Sequence, residues 1–278
     1  MKRITVLVSV LVIANVSYGQ VKIDSAEDSN KIYHIDRWWT IGIGVVGTAT
    51  DYIGVQRIID KKQVTQEELR DLNRSNVPKF DRGALDQNPA LEERHIIWSD
   101  VISLGTFFAP GLLFLDRKIR SDWLNVALMY YESQTISSNI YSWAPFGPQW
   151  LDRIRPKAYY ESINLEDRMS GNGRNSFFSG HTSATATACF FMAKVYSDYY
   201  DLSGIDKAYP YLMAALPTVA TSYLRVKGLK HFPSDVLVGA FIGAGIGILI
   251  PEIHRKRRLK LTARYDKEFK GFGLNWSP

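Results

Sequence analysis

The stretch Arg225-Val-Lys-Gly-Leu-Lys-His231-Phe-Pro-Ser-Asp235 carries most of the information in this 278-residue chain. Five residues separate Arg225 from His231, and three separate His231 from Asp235. A strongly apolar, glycine-rich segment follows at residues 236–250, and Pro233 suits the first turn of a helix. The pattern therefore predicts a helix that begins near Pro233, with His231 just outside it and Asp235 within it.

Two shorter blocks upstream contain side chains of the same kinds. One is Arg155-Pro156, and the other is Ser179-Gly180-His181, which stands directly before a run rich in alanine and threonine. That run predicts a helix, and the backbone N–H groups and dipole at a helix N-terminus attract anions. Gly180 would let the backbone approach such an anion closely. These blocks therefore suit the binding of an anionic group.

Segments of helical length dominate the chain from residue 96 onward. Proline and glycine separate them, and a weak alternating pattern is confined to residues 259–265. The sequence therefore predicts an all-α fold, a helical bundle. Its predicted helices cover residues 96–115, 122–143, 181–200, 206–225 and 236–250.

The first residues have the parts of a secretory signal. Lys2 and Arg3 precede an apolar run at residues 4–16, and the small residues Ser17 and Gly19 stand before a cleavage point after Gly19. An apolar run of 13 residues is too short to span a bilayer comfortably. Residues 1–19 are therefore predicted to be a secretory signal peptide, and an uncleaved signal anchor is the alternative.

The rest of the chain divides into three parts by composition. Residues 20–95 form a polar and partly helical N-terminal extension, residues 96–258 form the core, and residues 259–278 form a C-terminal tail. Within the extension, residues 38–55 are apolar but glycine-rich and contain Asp51, so both a spanning and a non-spanning segment remain open. Thr65-Gln-Glu-Glu predicts a short capped helix.

The distribution of charge predicts how the bundle meets a membrane. The chain has a formal net charge of +6, and basic residues concentrate at 117–120 and 254–258, each time after an apolar segment. Such clusters are typical of the cytoplasmic face of a membrane. With both clusters inside, the count of crossings places all three motif blocks outside. We therefore expect five to six membrane-associated helices and a site that faces the periplasm, with a soluble periplasmic bundle as the alternative.

The sequence predicts no metal and no cofactor. Cys189 is the only cysteine, which excludes an intramolecular disulfide. No cluster of cysteine and histidine has the spacing of a zinc site, and no acidic loop resembles a calcium site. The basic clusters beside apolar segments favour a membrane surface over a nucleic acid as partner. No protein partner is predicted.

In chain order, R-P, S-G-H and R-x5-H-x3-D resemble the signature of the type 2 phosphatidic acid phosphatase (PAP2) superfamily. This superfamily also contains class A acid phosphatases and vanadium haloperoxidases. Three blocks in the right order are much harder to match by chance than one block. The resemblance covers residues 125–251, and it implies a PAP2-type helical bundle that acts as a phosphoryl-transfer hydrolase.

The resemblance implies a role for each motif residue. His231 would attack phosphorus and carry a phosphohistidine, and Asp235 would accept the N–H on the other ring nitrogen of that histidine. His181 would protonate the leaving oxygen and then activate water. The phosphate-binding residues that the resemblance implies are Arg155, Ser179, Gly180 and Arg225.

The chain departs from the family pattern at three positions. The first block is usually K-x6-R-P, but Pro148 stands seven residues before Arg155, so the usual phosphate-binding lysine is missing. On a helix seven residues are about two turns, so a lysine there would share a face with Arg155. Phe178 and Leu224 replace a proline and a serine of the other blocks. The cations that could replace the lysine are Arg153, Arg174 and Lys230.

The sequence thus predicts a metal-independent phosphatase that hydrolyses a phosphomonoester or a pyrophosphate, through a phosphohistidine, on a membrane lipid. By resemblance, the candidate substrates are phosphatidic acid, phosphatidylglycerophosphate, undecaprenyl diphosphate and the phosphates of lipid A. The alternatives are a soluble periplasmic acid phosphatase of broad specificity, a vanadium haloperoxidase, and a non-catalytic membrane protein that binds phosphate or lipid.

Overall fold

Long helices form most of the described part of the chain. The computed structural model describes residues 31–255 and the backbone of residues 259–265 and 270–276. The predicted signal peptide, residues 1–19, lies outside them. The helices are α1 (Arg37–Ile59), α2 (Gln66–Arg70), α3 (Glu92–Phe108), α4 (Arg117–Arg120), α5 (Trp123–Trp143), α6 (Leu165–Met169), α7 (Gly180–Tyr199), α8 (Gly204–Lys227) and α9 (Pro233–His254).

Short 3-10 turns connect or extend these helices. The segment that follows α3 continues it to residue 115, so the two together cover the predicted helix at 96–115. The all-α fold class is confirmed, with α1 as a sixth long helix in addition to the five predicted ones. The 3-10 turns are Arg74–Asn76, Lys79–Leu85, Pro89–Leu91, Ala109–Leu115, Pro156–Tyr159 and Gly171–Arg174.

Capping residues explain where several helices begin. The Thr65 side chain accepts from the backbone N–H of Glu68, and Glu68 accepts from that of Thr65, so the predicted short capped helix is confirmed. Ser179 caps α7 by accepting from the N–H of Thr182. Pro233 occupies the first turn of α9, as predicted. The motif residues therefore lie at helix ends whose positions local chemistry determines.

Helix α9 packs directly against the backbone of α7 through a stripe of glycines. A Cβ at Gly239 would lie 2.5 Å from the carbonyl oxygen of Ser179, the N-cap of α7, and a Cβ at Gly243 or Gly247 would lie 2.1 or 2.6 Å from carbonyl oxygens of α7. No side chain fits in such gaps, so the two helices approach closely only because these positions are glycine. This contact holds the beginning of α9, which follows His231, beside the beginning of α7, which carries His181.

The N-terminal extension packs on the core. Gly44 and Gly47 bring α1 against α5, and Asp51 accepts a 2.9 Å hydrogen bond from Ser142 of α5. Helix α3 begins at Glu92 and runs across the predicted division at residue 95, since acidic residues favour the first turn of a helix. Contacts join the described residues from Ile32 onward into one compact unit.

The C-terminal tail contains a β-hairpin. Strand β1 (Leu259–Tyr265) has the bounds of the weak alternating pattern, and it pairs antiparallel with β2 (Lys270–Trp276). The second strand was not predicted, because Gly271 and Gly273 interrupt its pattern of strand-forming residues.

The outer surface of the bundle is strongly apolar. Two helical segments within the described residues, Pro89–Leu115 and Pro233–His254, are long and apolar enough to cross a bilayer. Only 17% of the apolar window of the first and 33% of that of the second is buried, so these residues face outward and are not a soluble core. Large apolar side chains are also exposed on α1 and α8, among them Val45, Val46, Leu212, Leu216 and Val219. A surface of this extent suits contact with lipid chains.

Candidate active site

The three motif blocks meet at one end of the bundle. His181 lies in the first turn of α7, Arg225 in the last turn of α8, and His231 in the loop between α8 and α9. Arg155 reaches the same place from the loop after α5. All four line one cavity of about 630 Å³, whose walls also include Tyr141, Asn172, Gly180 and residues of α1 and α3.

Two arginines in this cavity are buried, and their hydrogen bonds are incomplete. Arg155 is 8% exposed and Arg225 is 5% exposed. Arg155 donates to Asn172 and to the carbonyl of Asn175 through Nη2, but the Nε atoms of both arginines have no partner among the described residues. A buried donor without an acceptor is costly. An oxyanion in the cavity would supply the missing acceptors.

His231 is prepared to use Nε2 as a base or nucleophile. It is 2% exposed, and its Nδ1 lies 2.5 Å from the backbone carbonyl oxygen of Ser176. A carbonyl only accepts, so Nδ1 carries the proton and Nε2 keeps its lone pair. Burial, followed by the charges of Arg155 and Arg225, lowers the pKa of His231 well below its ordinary value. The ring is therefore neutral.

Asp235 does not make the contact that the resemblance implied. Its Oδ2 is 3.9 Å from Nδ1 of His231, and accepts instead from the Ser176 hydroxyl at 2.6 Å and the Phe232 backbone N–H at 2.7 Å. The physical reason is the position of Asp235 in the first turn of α9, where a carboxylate turns back to the free N–H groups at the helix start. Asp235 thus positions Ser176 by accepting from its hydroxyl, and the backbone carbonyl of Ser176 positions the ring of His231.

His181 has a carboxylate partner that the sequence analysis missed. Its Nε2 lies 3.3 Å from Oδ1 of Asp100, on α3, and the same Oδ1 lies 3.1 Å from Nη1 of Arg225. The imidazole is partly exposed at the cavity wall. An acidic residue inside the apolar segment 96–115 is itself a signal of function, and it could have drawn attention to Asp100.

Ser179 and Gly180 take different places at the start of α7. Ser179 is fully buried, and its hydroxyl is 3.0 Å from that of Thr182, which turns it toward its own helix and away from the cavity. Gly180 lines the cavity, where a Cβ would come within 3.2 Å of the ring of Tyr141. Phe178, which replaces the family proline, packs edge-on against that ring at 5.4 Å. The glycine and Phe178 therefore shape the wall at Tyr141.

The region of the missing lysine is not helical. Helix α5 ends at Trp143, residues 144–150 form turns and bends, and Arg153 lies in an isolated bridge with Asn175, so the helical spacing between position 148 and Arg155 does not apply. Pro148 is buried, and its carbonyl accepts a 2.7 Å hydrogen bond from Lys61. Lys61 is also paired with Asp152 at 2.5 Å.

Two of the three candidate cations are occupied elsewhere. Arg153 pairs with Asp81 and Asp235, and Arg174 pairs with Glu68 and Asp152. The ammonium of Lys230, which directly precedes His231, has no hydrogen bond or ion pair with the part of the chain described, and only the backbone N–H of this residue donates, to Arg225. Burial, and then the charge of Arg155, lowers the pKa of Lys230 to about 8. Lys230 is therefore the candidate that is not engaged in another ion pair.

The described residues contain no group of three or more histidine, cysteine or carboxylate side chains that could hold a metal ion. What they bring together is a neutral histidine, a second histidine beside a carboxylate, and two arginines with free donors. This arrangement can bind a phosphoryl group and transfer it.

Comparison with known proteins agrees with this chemistry. Residues 122–259 match the model of the PAP2 superfamily, and no curated protein is similar enough to count as a match. Among solved structures, the chain is similar to a transmembrane PAP2 type phosphatidylglycerolphosphate phosphatase from Bacillus subtilis. The identity is 19%, the match covers 74% of this chain and 93% of that chain, and the TM-score is 0.42. The fold and the site define a phosphoric ester hydrolase. Residues 122–259, about half of the chain, match the PAP2 superfamily.

Proposed function

We propose that this phosphatase hydrolyses a phosphomonoester or a pyrophosphate on a membrane lipid, through a phosphohistidine on His231 and without a metal ion. The observation that carries the proposal is that the free Nε donors of Arg155 and Arg225 and the neutral ring of His231 belong to one cavity. The donors of an arginine side chain can bind two oxygens of a phosphoryl group, and a neutral histidine can attack its phosphorus as a nucleophile.

In the first step, Nε2 of His231 attacks phosphorus and the bond from phosphorus to the ester oxygen breaks. His181 gives its proton to that leaving oxygen, so that an alcohol departs rather than an alkoxide. In the second step, His181 takes a proton from water, the resulting hydroxide attacks phosphorus, and the P–N bond breaks. Phosphate leaves, and His231 is again neutral. Arg155 and Arg225 neutralise the charge on the phosphoryl oxygens in both steps.

The shape of the cavity supports a lipid substrate. Near Arg155 its wall includes Ile58 and Ile59 of α1, and it continues to Thr48 of α1 and Phe107 of α3. Thr48 and Ile58 are ten positions apart on the helix, which is a length of about 15 Å. A phosphate bound at Arg155 would therefore leave room for a long alcohol to extend between α1 and α3, toward the apolar outer surface.

The site is proposed to face the periplasm of an exported protein. The predicted signal peptide and the basic residues after the two spanning segments support this orientation. Single cysteines introduced at Lys118 and at Glu161 test it, because Cys189 is buried. In intact cells, a membrane-impermeant maleimide is expected to label only the cysteine at position 161. The reverse pattern would contradict the orientation.

The function is tested with purified protein in detergent that contains EDTA. Phosphatidic acid, phosphatidylglycerophosphate, undecaprenyl diphosphate, lipid A and a water-soluble aryl phosphate are offered in parallel. We expect hydrolysis of at least one lipid, inhibition by vanadate, and no turnover by His231→Ala. His34→Ala replaces an exposed histidine and is the matched control, with normal turnover.

Three results would contradict the proposal. Turnover that persists in His231→Ala would exclude the phosphohistidine, and loss of turnover in EDTA would exclude the metal-independent reaction. Activity on the aryl phosphate alone, recovered from cells without detergent, would favour a soluble acid phosphatase of broad specificity.

A further inference from the structure

Asp100 is the carboxylate that contacts the proposed acid of the reaction. It lies on α3, before the segment that matches the family model, and its side chain is about half exposed. A single oxygen, Oδ1, is 3.3 Å from Nε2 of His181 and 3.1 Å from Nη1 of Arg225. The carboxylate thus connects the proton donor of the first step to one of the two phosphate-binding arginines.

This ion-pair contact favours a proton on Nε2 of His181, because the negative charge of the carboxylate stabilises the doubly protonated, charged ring. The charges facing His181 from the other elements have the opposite effect. Burial, followed by the charge of Arg225, lowers the pKa of His181, and Asp100 raises it. Among the described residues, the other charged or titratable groups around the cavity are Arg155, Lys230, His231, Tyr131, Tyr141 and Asp51.

Asp100 also determines which edge of Arg225 is free. Nη1 of Arg225 donates to Asp100 and, at 3.2 Å, to the hydroxyl of Ser99. Nε has no partner within the described residues and therefore remains available to an anion. Asp100 and a bound phosphate would both lie beside Arg225, so their like charges repel each other.

We propose that Asp100 is a positioning residue that holds the proton on Nε2 of His181 for transfer to the leaving oxygen, while its charge weakens the binding of the phosphoryl group. The inference rests on the proposed function, because it assigns His181 the role of acid. Its consequence is a split effect: removing the charge of Asp100 improves anion binding and impairs proton transfer. A purely structural role of Asp100 would not separate these two quantities.

The contact itself is tested by the titration of histidine ring signals by NMR, with the His181 signal assigned from its absence in His181→Gln. In Asp100→Asn, we expect the pKa of His181 to fall by about 0.5–1 unit, because the stabilising charge is lost. Asp100→Glu is expected to restore most of the shift. Asp201→Asn is the matched control: this exposed carboxylate follows the far end of α7, about 30 Å away, in a left-handed conformation that asparagine tolerates. It should leave His181 unchanged.

The role in catalysis is tested by kinetics and by inhibition with vanadate. In Asp100→Asn, we expect vanadate to bind several-fold more tightly, kcat to fall about tenfold at pH 7.5, and the basic limb of the kcat profile to move to lower pH. Unchanged titration of His181 in Asp100→Asn would overturn the inference, and so would weaker vanadate binding, which would reduce Asp100 to a support for Arg225. If the titration shifts but the wild-type protein hydrolyses no phosphate ester, the proposed function fails while the contact stands.

Discussion

The two ends of the bundle both bury charged side chains, but only one end pairs them completely. At the far end of α7, Lys194 is paired with Asp198 and lies 2.7 Å from Glu252, and Asp198 also accepts a 2.8 Å hydrogen bond from Tyr33. Arg255 is 3.3 Å from Asp198. At the motif end, the Nε atoms of Arg155 and Arg225 have no partner among the described residues. The ammonium of Lys230 likewise has no hydrogen bond or ion pair there. The two ends are about 20–30 Å apart along α7.

This difference separates charges that support the fold from charges that support a reaction. Buried ions normally need partners, because desolvation costs several kcal/mol per ion. The far end meets this requirement with the protein's own groups, which suits a structural role. At the motif end, the described groups do not supply all the partners that the buried cations need. An anionic ligand, as proposed, would supply them. The predictions below disturb one end at a time and are ordered from the largest expected effect to the smallest.

Arg155→Lys is expected to cause the largest loss. Lysine keeps the charge but not the fork of donors, so kcat/KM should fall by about 10²–10³ and vanadate inhibition should weaken in parallel. Turnover and vanadate inhibition are the measurements. Arg174→Lys is the matched control, since Arg174 is paired with Glu68, and its kinetics should match the wild type. Equal losses in both variants would mean that the cavity at Arg155 is not the phosphate site.

Lys194→Met changes the far end of the bundle and is expected to lower stability without lowering turnover. Asp198 would lose its main partner in a buried position, which should lower the free energy of unfolding by about 3 kcal/mol. The midpoint of thermal unfolding in detergent should therefore drop, while turnover per folded molecule at low temperature stays at the wild-type value. Loss of turnover without loss of stability would contradict the assignment of this end to structure alone.

Asp235→Asn is expected to have a moderate effect. Asp235 makes no hydrogen bond to His231 and supports it through Ser176 and the backbone of Phe232, and an asparagine oxygen can still accept from the Ser176 hydroxyl. We expect kcat to fall about 10- to 100-fold, less than for a carboxylate in direct contact with a catalytic histidine. Ser176→Ala should give a similar or smaller loss. A loss of 10⁴-fold or more for Asp235→Asn would show a direct contact between Asp235 and His231 in the reacting enzyme.

Lys230 is expected to give the smallest effect, visible mainly in the pH dependence. Its pKa is lowered to about 8, so the ammonium is present below this pH and is lost above it. If the ammonium helps to bind phosphate, kcat/KM of the wild type should fall as the pH rises through about 8. Lys230→Arg should abolish this fall, because arginine stays charged. Identical profiles of Lys230→Arg and the wild type would exclude Lys230 as the substitute for the family lysine.

The sequence pattern predicted five of the six long helices, and the resemblance to the PAP2 superfamily predicted the histidines and arginines that line the cavity. Local signals place these residues at helix ends. Pro233 and the Ser179 cap are such signals. The contacts between blocks could not be predicted in this way. The orientation of Asp235 depends on Ser176, and the contact of Asp100 with His181 depends on how α3 packs beside α7. Such long-range contacts follow from packing, which the chain order does not reveal.

The central claim is that the cavity at the motif end of the bundle is an active site, in which a phosphoryl group passes from the substrate to His231. The most direct measurement mixes the enzyme with a radiolabelled substrate lipid, stops the reaction within milliseconds in alkali, and maps the label by proteolysis. The account predicts an acid-labile, alkali-stable phosphate on the peptide that contains His231, formed and lost at rates compatible with turnover. Label on the peptide that contains His181, or turnover without any labelled enzyme, would contradict it.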